Sequence, residues 1–347
     1  MSTLRRRLMM NQYKKGEINY PGLIAAWSAK GKANDDEDRA ILRDLSGHGM
    51  DLELKNFMWK QMSGYNGYDY AVQLSYNNGA LKHTREDSYI HITEVMQPNW
   101  NQIYTESVNL KVRRAVVVKI SGLSELKSAA LLFRCFTGGE WKQIYVRKDG
   151  ECSLPQCDSD PPEGTSNFRI DVREYEGKCN IKIEFPPLYP DALVFDGVDD
   201  MHVPLPFSEK TGIRKGYTVL ANLVPLTSSY KDRGAFVCAM SPNPNADYGR
   251  MFECKGLGKP SIIAYTDNLP LSKKILGGTE DIYMSANNIG NSNILFSIIG
   301  TASGGGMSYL ASVAFYSAYI FNRILTQDEV ASFIKKHIDP NYTLPQI

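Results

Sequence analysis

Apolar and polar residues alternate along most of this chain, and that alternation decides its fold class. Between residues 57 and 189 the runs 89–93, 108–112, 115–120, 130–135, 141–146, 168–172 and 179–185 place apolar side chains at every second position. A period of two is what a pleated strand presents when one face is buried. Gly, Pro and Asp separate the runs, as turns require. The pattern predicts an antiparallel β-sandwich over 57–189. Its longest polar connection is 157–167, and its exit is the stiff Phe-Pro-Pro-Leu-Tyr-Pro of 185–190.

The flanking stretches carry the same period. Residues 23–27 form an apolar run ending in Trp27, and Leu52, Leu54 and Phe57 lead back into a sheet. Around residues 192–206 the sequence predicts a strand, a tight turn at Asp196-Gly197 and a second strand with Val203 and Leu205. Pro204 and Pro206 mark its edge or exit. Beyond lie an alternating run from Tyr217 to Leu223, short strands near 235–240, 250–254, 262–265, 282–285 and 294–299, and a long apolar strand within 309–321. Thr326 and Glu329 form a capping box. Val330, Phe333, Ile334 and Ile338 then follow helical spacing up to Pro340. The fold class is therefore all-β with one C-terminal helix. Residues 20–56 and 190–340 make one sandwich, 57–189 is a second sandwich inserted into it, and 1–19 is a basic arm.

Composition narrows the partners. The formal net charge is +1, so no global field draws nucleic acid or an anionic membrane. No apolar run reaches the ~18 residues of a membrane span. Arg5, Arg6, Arg7, Lys14 and Lys15 open the chain, but no apolar segment follows to complete a signal peptide. The expectation is synthesis in the bacterial cytoplasm, with the arm docking on a larger assembly. Of the six cysteines, Cys135, Cys179, Cys238 and Cys254 share strand faces with apolar residues and read as buried thiols. Cys152 and Cys157 lie in a Pro/Asp-rich stretch and could pair with each other.

Three pieces in fixed order resemble the laminin-G-like branch of the concanavalin A-like lectin/glucanase superfamily. They are Ile24-Ala25-Ala26-Trp27 followed by Asp44-x-Ser46-Gly47-x-Gly49, then Leu193-x-Phe195-Asp196-Gly197-x-x-Asp200 with Val203-Pro204, then Tyr319-x-x-Asn322-Arg323-x-Leu325-Thr326-x-x-Glu329-Val330. The first two pieces usually stand close together in that family, whereas here the insertion separates them. The insertion is similar in texture to carbohydrate-binding-module sandwiches. The whole layout resembles proteins of phages and prophages of gut Bacteroidales, which implies a location in the virion.

The resemblance implies glycan recognition, with a cell-surface polysaccharide and other virion proteins as partners and a homo-oligomeric state. Glucanases of the superfamily carry Glu-x-Asp-x-Glu on one strand, and no such triplet occurs; Glu174-x-Glu176 is the nearest spacing. The expectation is thus no catalytic residue and no enzyme, a virion assembly protein being the alternative and a glycoside hydrolase ranking behind both. Candidate ligand-binding residues are the loop aromatics Trp100, Tyr65, Tyr68 and Tyr70, with Asn99 and Asn101 beside Trp100 to bond hydroxyls. Trp27 and Trp141, on strands, read as core. No metal ligand is assigned. Asp35, Asp36, Glu37 and Asp38, and separately Asp44, Asp196 and Asp200, leave Ca2+ open, although adjacent acids on loops more often form turns.

Overall fold

A computed structural model describes residues 18–341 except 69–73, 77–78, 99, 106–114, 159–165, 204, 206–209, 212–216, 229–234, 241–250, 255–260, 267–271, 277–281, 286–294, 298–300, 304–305 and 309–310. The chain forms two compact units, Met1–Gly67 with Tyr189–Ile347, and Tyr68–Leu188. Residues 1–17 of the basic arm, the expected strand 108–112, Pro204 and Pro206 lie outside the described residues.

The first unit opens with β1 (Leu23–Ser28), β2 (Ile41–Leu42), β3 (Leu52–Lys55) and β4 (Gly64–Tyr65). The second unit holds β5 (Leu74–Tyr76), β6 (Leu81–Glu86), β7 (Tyr89–Val95), β8 (Ile103–Thr105), β9 (Val116–Ser121), β10 (Ala130–Thr137), β11 (Glu140–Val146), β12 (Gly150–Leu154), β13 (Phe168–Arg173) and β14 (Gly177–Glu184). The first unit resumes with β15 (Leu193–Asp196), β16 (Met201–His202), β17 (Thr218–Ser228), β18 (Ala235–Met240), β19 (Met251–Cys254), β20 (Ser261–Thr266) and β21 (Ser272–Leu276). It closes with β22 (Ile282–Ser285), β23 (Leu295–Ser297), β24 (Thr301–Ser303), β25 (Gly306–Ser308), β26 (Ala311–Phe321) and the helix α1 (Gln327–His337).

In the first unit a seven-stranded sheet runs β21-β20-β17-β26-β15-β4, with β1 also on β26. The strand ending in Trp27 and the strand carrying Phe195 thus share a sheet through β26. Trp27 is fully buried, and its Nε1–H donates to Met50 O at 2.7 Å. Around it pack Leu54, Phe57, Tyr65, Phe195 and Phe315. Val330, Phe333 and Ile334 of α1 pack with Leu23, Ala26, Tyr319 and Phe321. Thr326 and Glu329 close a complete capping box, as the spacing predicts. The β17–β26 ladder slips between Pro225 and Thr227, where proline has no N–H to give.

Two local readings change. The stretch around Asp196-Gly197 is a turn but not a hairpin: β15 pairs with β26 and β4, whereas β16 pairs with β3. The buried Asp200 carboxylate redirects the chain there. Its Oδ2 accepts from Asp196 N at 2.9 Å and its Oδ1 from Ser63 Oγ at 2.8 Å. Residues 57–67, read as part of the insertion, lie in the first unit, because Gly64 and Tyr65 pair with Val194 and Leu193.

The second unit is a sandwich of two five-stranded antiparallel sheets, β11-β10-β13-β8-β5 and β12-β9-β14-β7-β6. The first buries Leu131, Phe133, Cys135, Phe168, Ile170 and Val172 on one face. The second buries Ile90, Ile92, Val118, Ile120, Ile181 and Ile183. Alternation supplies one apolar layer per sheet, and the two layers meet as the core. Gly122 sits at φ +81 with Asn180 O only 1.9 Å from where a Cβ would stand, so only glycine fits.

Candidate functional site

The chemistry collects on the opposite face of the sheet β11-β10-β13-β8-β5. Because Phe168, Ile170 and Val172 point into the core, strand alternation sends Arg169, Asp171 and Arg173 to the other side. Cross-strand register then sets their neighbours. Arg134 of β10 stands opposite Arg169 and also opposite Gln143 of β11. Tyr104 of β8 stands on the far side of Arg169. One row therefore reads Gln143, Arg134, Arg169, Tyr104. The neighbouring rows bring Trp141 opposite Phe136 and Tyr145 opposite Leu132.

Asp171 is fully buried, and its Oδ2 holds two guanidiniums, Arg134 Nε at 3.1 Å and Arg173 Nη2 at 2.9 Å. Among the described residues its Oδ1 has no hydrogen-bond partner. The Arg169 guanidinium lies 4.9 Å from the Trp141 ring centre, within cation–π reach, and its Nε donates to Ser166 Oγ at 3.2 Å. Burial, and then the like charge of Arg134, pull the Arg169 pKa down. Gln143 and Tyr145 are exposed, Tyr145 to 54%. The patch thus offers three cations against one carboxylate, with an aromatic ring and amide and hydroxyl groups beside them. Such a surface can stack on a sugar ring, bond hydroxyls and attract an anion.

Trp141, read from sequence as core, is half-buried on this face, with its ring against Phe136 at 5.6 Å between centroids. The expected ligand residues fall elsewhere. Tyr65 is fully buried, N–H bonded to Asn34 Oδ1 at 2.6 Å and donating its hydroxyl to Arg39 O at 3.0 Å, so no face remains for a ligand. Asn101 is equally buried, bonding Val172 O at 2.7 Å and Val172 N at 2.9 Å. It ties the 97–102 loop to β13. Tyr68 is half-buried, and Tyr70 and Asn99 lie outside the described residues. Trp100 is 73% exposed on its loop.

Carboxylates of Asp196, Asp199 and Asp200 gather within 4.8 Å of one another, a set that could hold a cation. Asp44 is apart from them. Its carboxylate accepts from Ala26 N, Ser46 N and Met50 N at 2.9–3.0 Å and shapes a turn. In the earlier acidic loop Asp36 accepts from Ala33 N and Asp38 pairs with Lys32. Asp196 Oδ1 is taken by Val198 N at 2.7 Å. Desolvation raises Asp200 to about 7, so it keeps its proton through the mildly acidic range and is about half ionised near neutrality. The thiols of Cys152 and Cys157 are free and buried. Cys152 sits on β12 opposite Val118, and Cys157 meets Cys135 across a thiol–thiol hydrogen bond that, with burial, pushes the Cys135 pKa up.

No protein-family model and no curated protein matches the chain. Among solved structures it is similar to a Trypanosoma rangeli sialidase in complex with the inhibitor DANA, at 9% identity and TM-score 0.30, over 84% of this chain and 67% of that one. The same sialidase in complex with sialic acid gives 10% identity and TM-score 0.31, over 86% and 68%. These matches correct one expectation. The sequence alone suggests no enzyme, and that expectation is withdrawn because both of these structures are of a sialidase. A likeness at these scores assigns neither a reaction nor a substrate to this chain.

Proposed function

We propose that this protein recognises glycans through the Trp141 face of its second unit. One observation carries the reading: Trp141 lies over Arg169 beside the exposed Gln143 and Tyr145, on strands whose other face is the core. Aromatic rings on a rigid sheet lose little conformational freedom on stacking, and neighbouring polar groups supply direction. Single contacts of this kind are weak, so useful adhesion needs many copies. Placement of the chain in a phage-type particle belongs to the same proposal. It is supported by the resemblance in layout, and mass spectrometry of purified particles tests it.

The direct test is a glycan array probed with the full chain displayed multivalently. Binding to one or more saccharides is expected, with about a tenfold loss, or about 1.4 kcal/mol, for Trp141→Ala. No binding to any saccharide, or binding indifferent to Trp141→Ala and Tyr145→Ala, refutes the reading.

A further inference from the structure

We infer that the ligand of this face is an acidic saccharide whose carboxylate or sulfate group seats on Arg169. The inference rests on the proposed glycan recognition and names the ligand class. Like charges directly opposite on neighbouring strands destabilise a sheet, yet Arg134 and Arg169 stand in that relation. Among the described residues the only carboxylate in ion-pair contact with these arginines is Asp171, and its Oδ2 serves Arg134 and Arg173. Arg169 makes no ion pair among the described residues. Its contacts are Ser166 Oγ and the Trp141 ring, neither of which carries a charge, and the Asp171 carboxylate acts on it only from beyond ion-pair distance.

A guanidinium keeps its charge at any physiological pH. Here it does so while partly desolvated and next to a second cation. A neutral sugar stacked on Trp141 would desolvate Arg169 further and offer no compensating charge. A carboxylate or sulfate presents two oxygens in the plane that guanidinium donors address, and charge-assisted bonds of this kind are the strong ones. The ring of the same saccharide lies against Trp141, with Gln143 and Tyr145 at its rim. The three arginines and Asp171 together leave a formal excess of two positive charges, which one anionic residue reduces and does not exceed.

The experiment is calorimetry on the full chain with three probes: tri-galacturonic acid, its methyl ester, and a sulfated galactose oligosaccharide of similar length. The acid or the sulfated probe should bind at least about tenfold tighter than the methyl ester, and the advantage should shrink as NaCl rises. Arg169→Gln should abolish the preference, so that the anionic probe binds that variant no more tightly than the ester binds the same variant. Arg169→Lys, which keeps the charge but not the planar fork, should fall between. Circular dichroism and the melting temperature establish that each variant is folded. Which anionic probe binds separates carboxylate from sulfate. Equal affinity for acid, sulfated probe and ester overturns the inference and leaves glycan recognition standing, as does anion binding that Arg169→Gln does not touch. Absence of binding by all three probes and by every neutral glycan of the array sinks both.

Discussion

Asp200 and His202 stand two residues apart, both buried, and burial moves them in opposite directions. Asp200 is raised from the usual carboxylate range to about 7, chiefly by desolvation. His202, fully enclosed with Nδ1 against Val203 O at 2.9 Å, is lowered to about 4 by the same cause. The signs for stability are therefore opposed. Between about pH 4.5 and 7.5 the unfolded chain has released the Asp200 proton while the folded chain still holds it, so Asp200 costs about 3 kcal/mol as pH rises. Over the same window the unfolded chain sheds the proton on His202 that the folded chain never takes up, and stability rises by about 2–3 kcal/mol. The two nearly cancel in the wild type.

Asp200→Asn removes one arm. It also loses an acceptor toward Asp196 N or Ser63 Oγ, but that cost is the same at every pH. Relative to wild type, the variant should gain about 3 kcal/mol across the window; with a urea slope of about 1–3 kcal/mol/M, its midpoint should move up by about 1–3 M relative to wild type. Urea melts of both proteins at each end of the window measure the double difference. A constant offset between the two proteins at all pH values would refute the reasoning. It would mean that Asp200 is ionised in the folded state at acidic pH.

Asp171→Asn should destabilise the second unit by about 3 kcal/mol, because it leaves Arg134 and Arg173 without their shared carboxylate; hydrogen exchange of the β10 and β13 amides reports it, and a change under about 0.5 kcal/mol contradicts it. Gly122→Ala should cost about 3 kcal/mol or more, since the new Cβ would strike the backbone oxygen of Asn180, and thermal unfolding reads the loss. Peptide mapping of protein purified without reductant should recover Cys152 and Cys157 as unlinked thiols, and a peptide joining them would show the loop arranged otherwise.

The alternating strands and the capped helix were legible because each is a local pattern with one physical solution. The boundary of the insertion was not. Residues 57–67 look like loop, with Trp59, Gln61 and Asn66 at positive φ, and what assigns them to the first unit is long-range: the pairing of β4 with β15 and the bonds of Ser63 to Asp200 and of Tyr65 to Asn34. The site was half-legible. Arg169-x-Asp171-x-Arg173 shows by its period that three charges share a strand face. That Arg134 and Trp141 lie beside that face depends on register between strands, and register is set by packing across the whole sheet. Trp141 was read as core because a tryptophan on a strand usually is, but alternation against Phe133 and Cys135 puts it on the other side. Tyr65 failed as a ligand residue for the converse reason: a Gly/Asn-rich context looks exposed, yet the strand there is paired and covered.

A saccharide bound on the Trp141–Arg169 face would cover β10, β11 and β13. Hydrogen–deuterium exchange of the full chain, with and without a saturating saccharide identified on the array, tests it most directly. Protection confined to β10, β11 and β13 is the predicted result. Protection of the 97–102 loop around the exposed Trp100, with those strands unchanged, would contradict it.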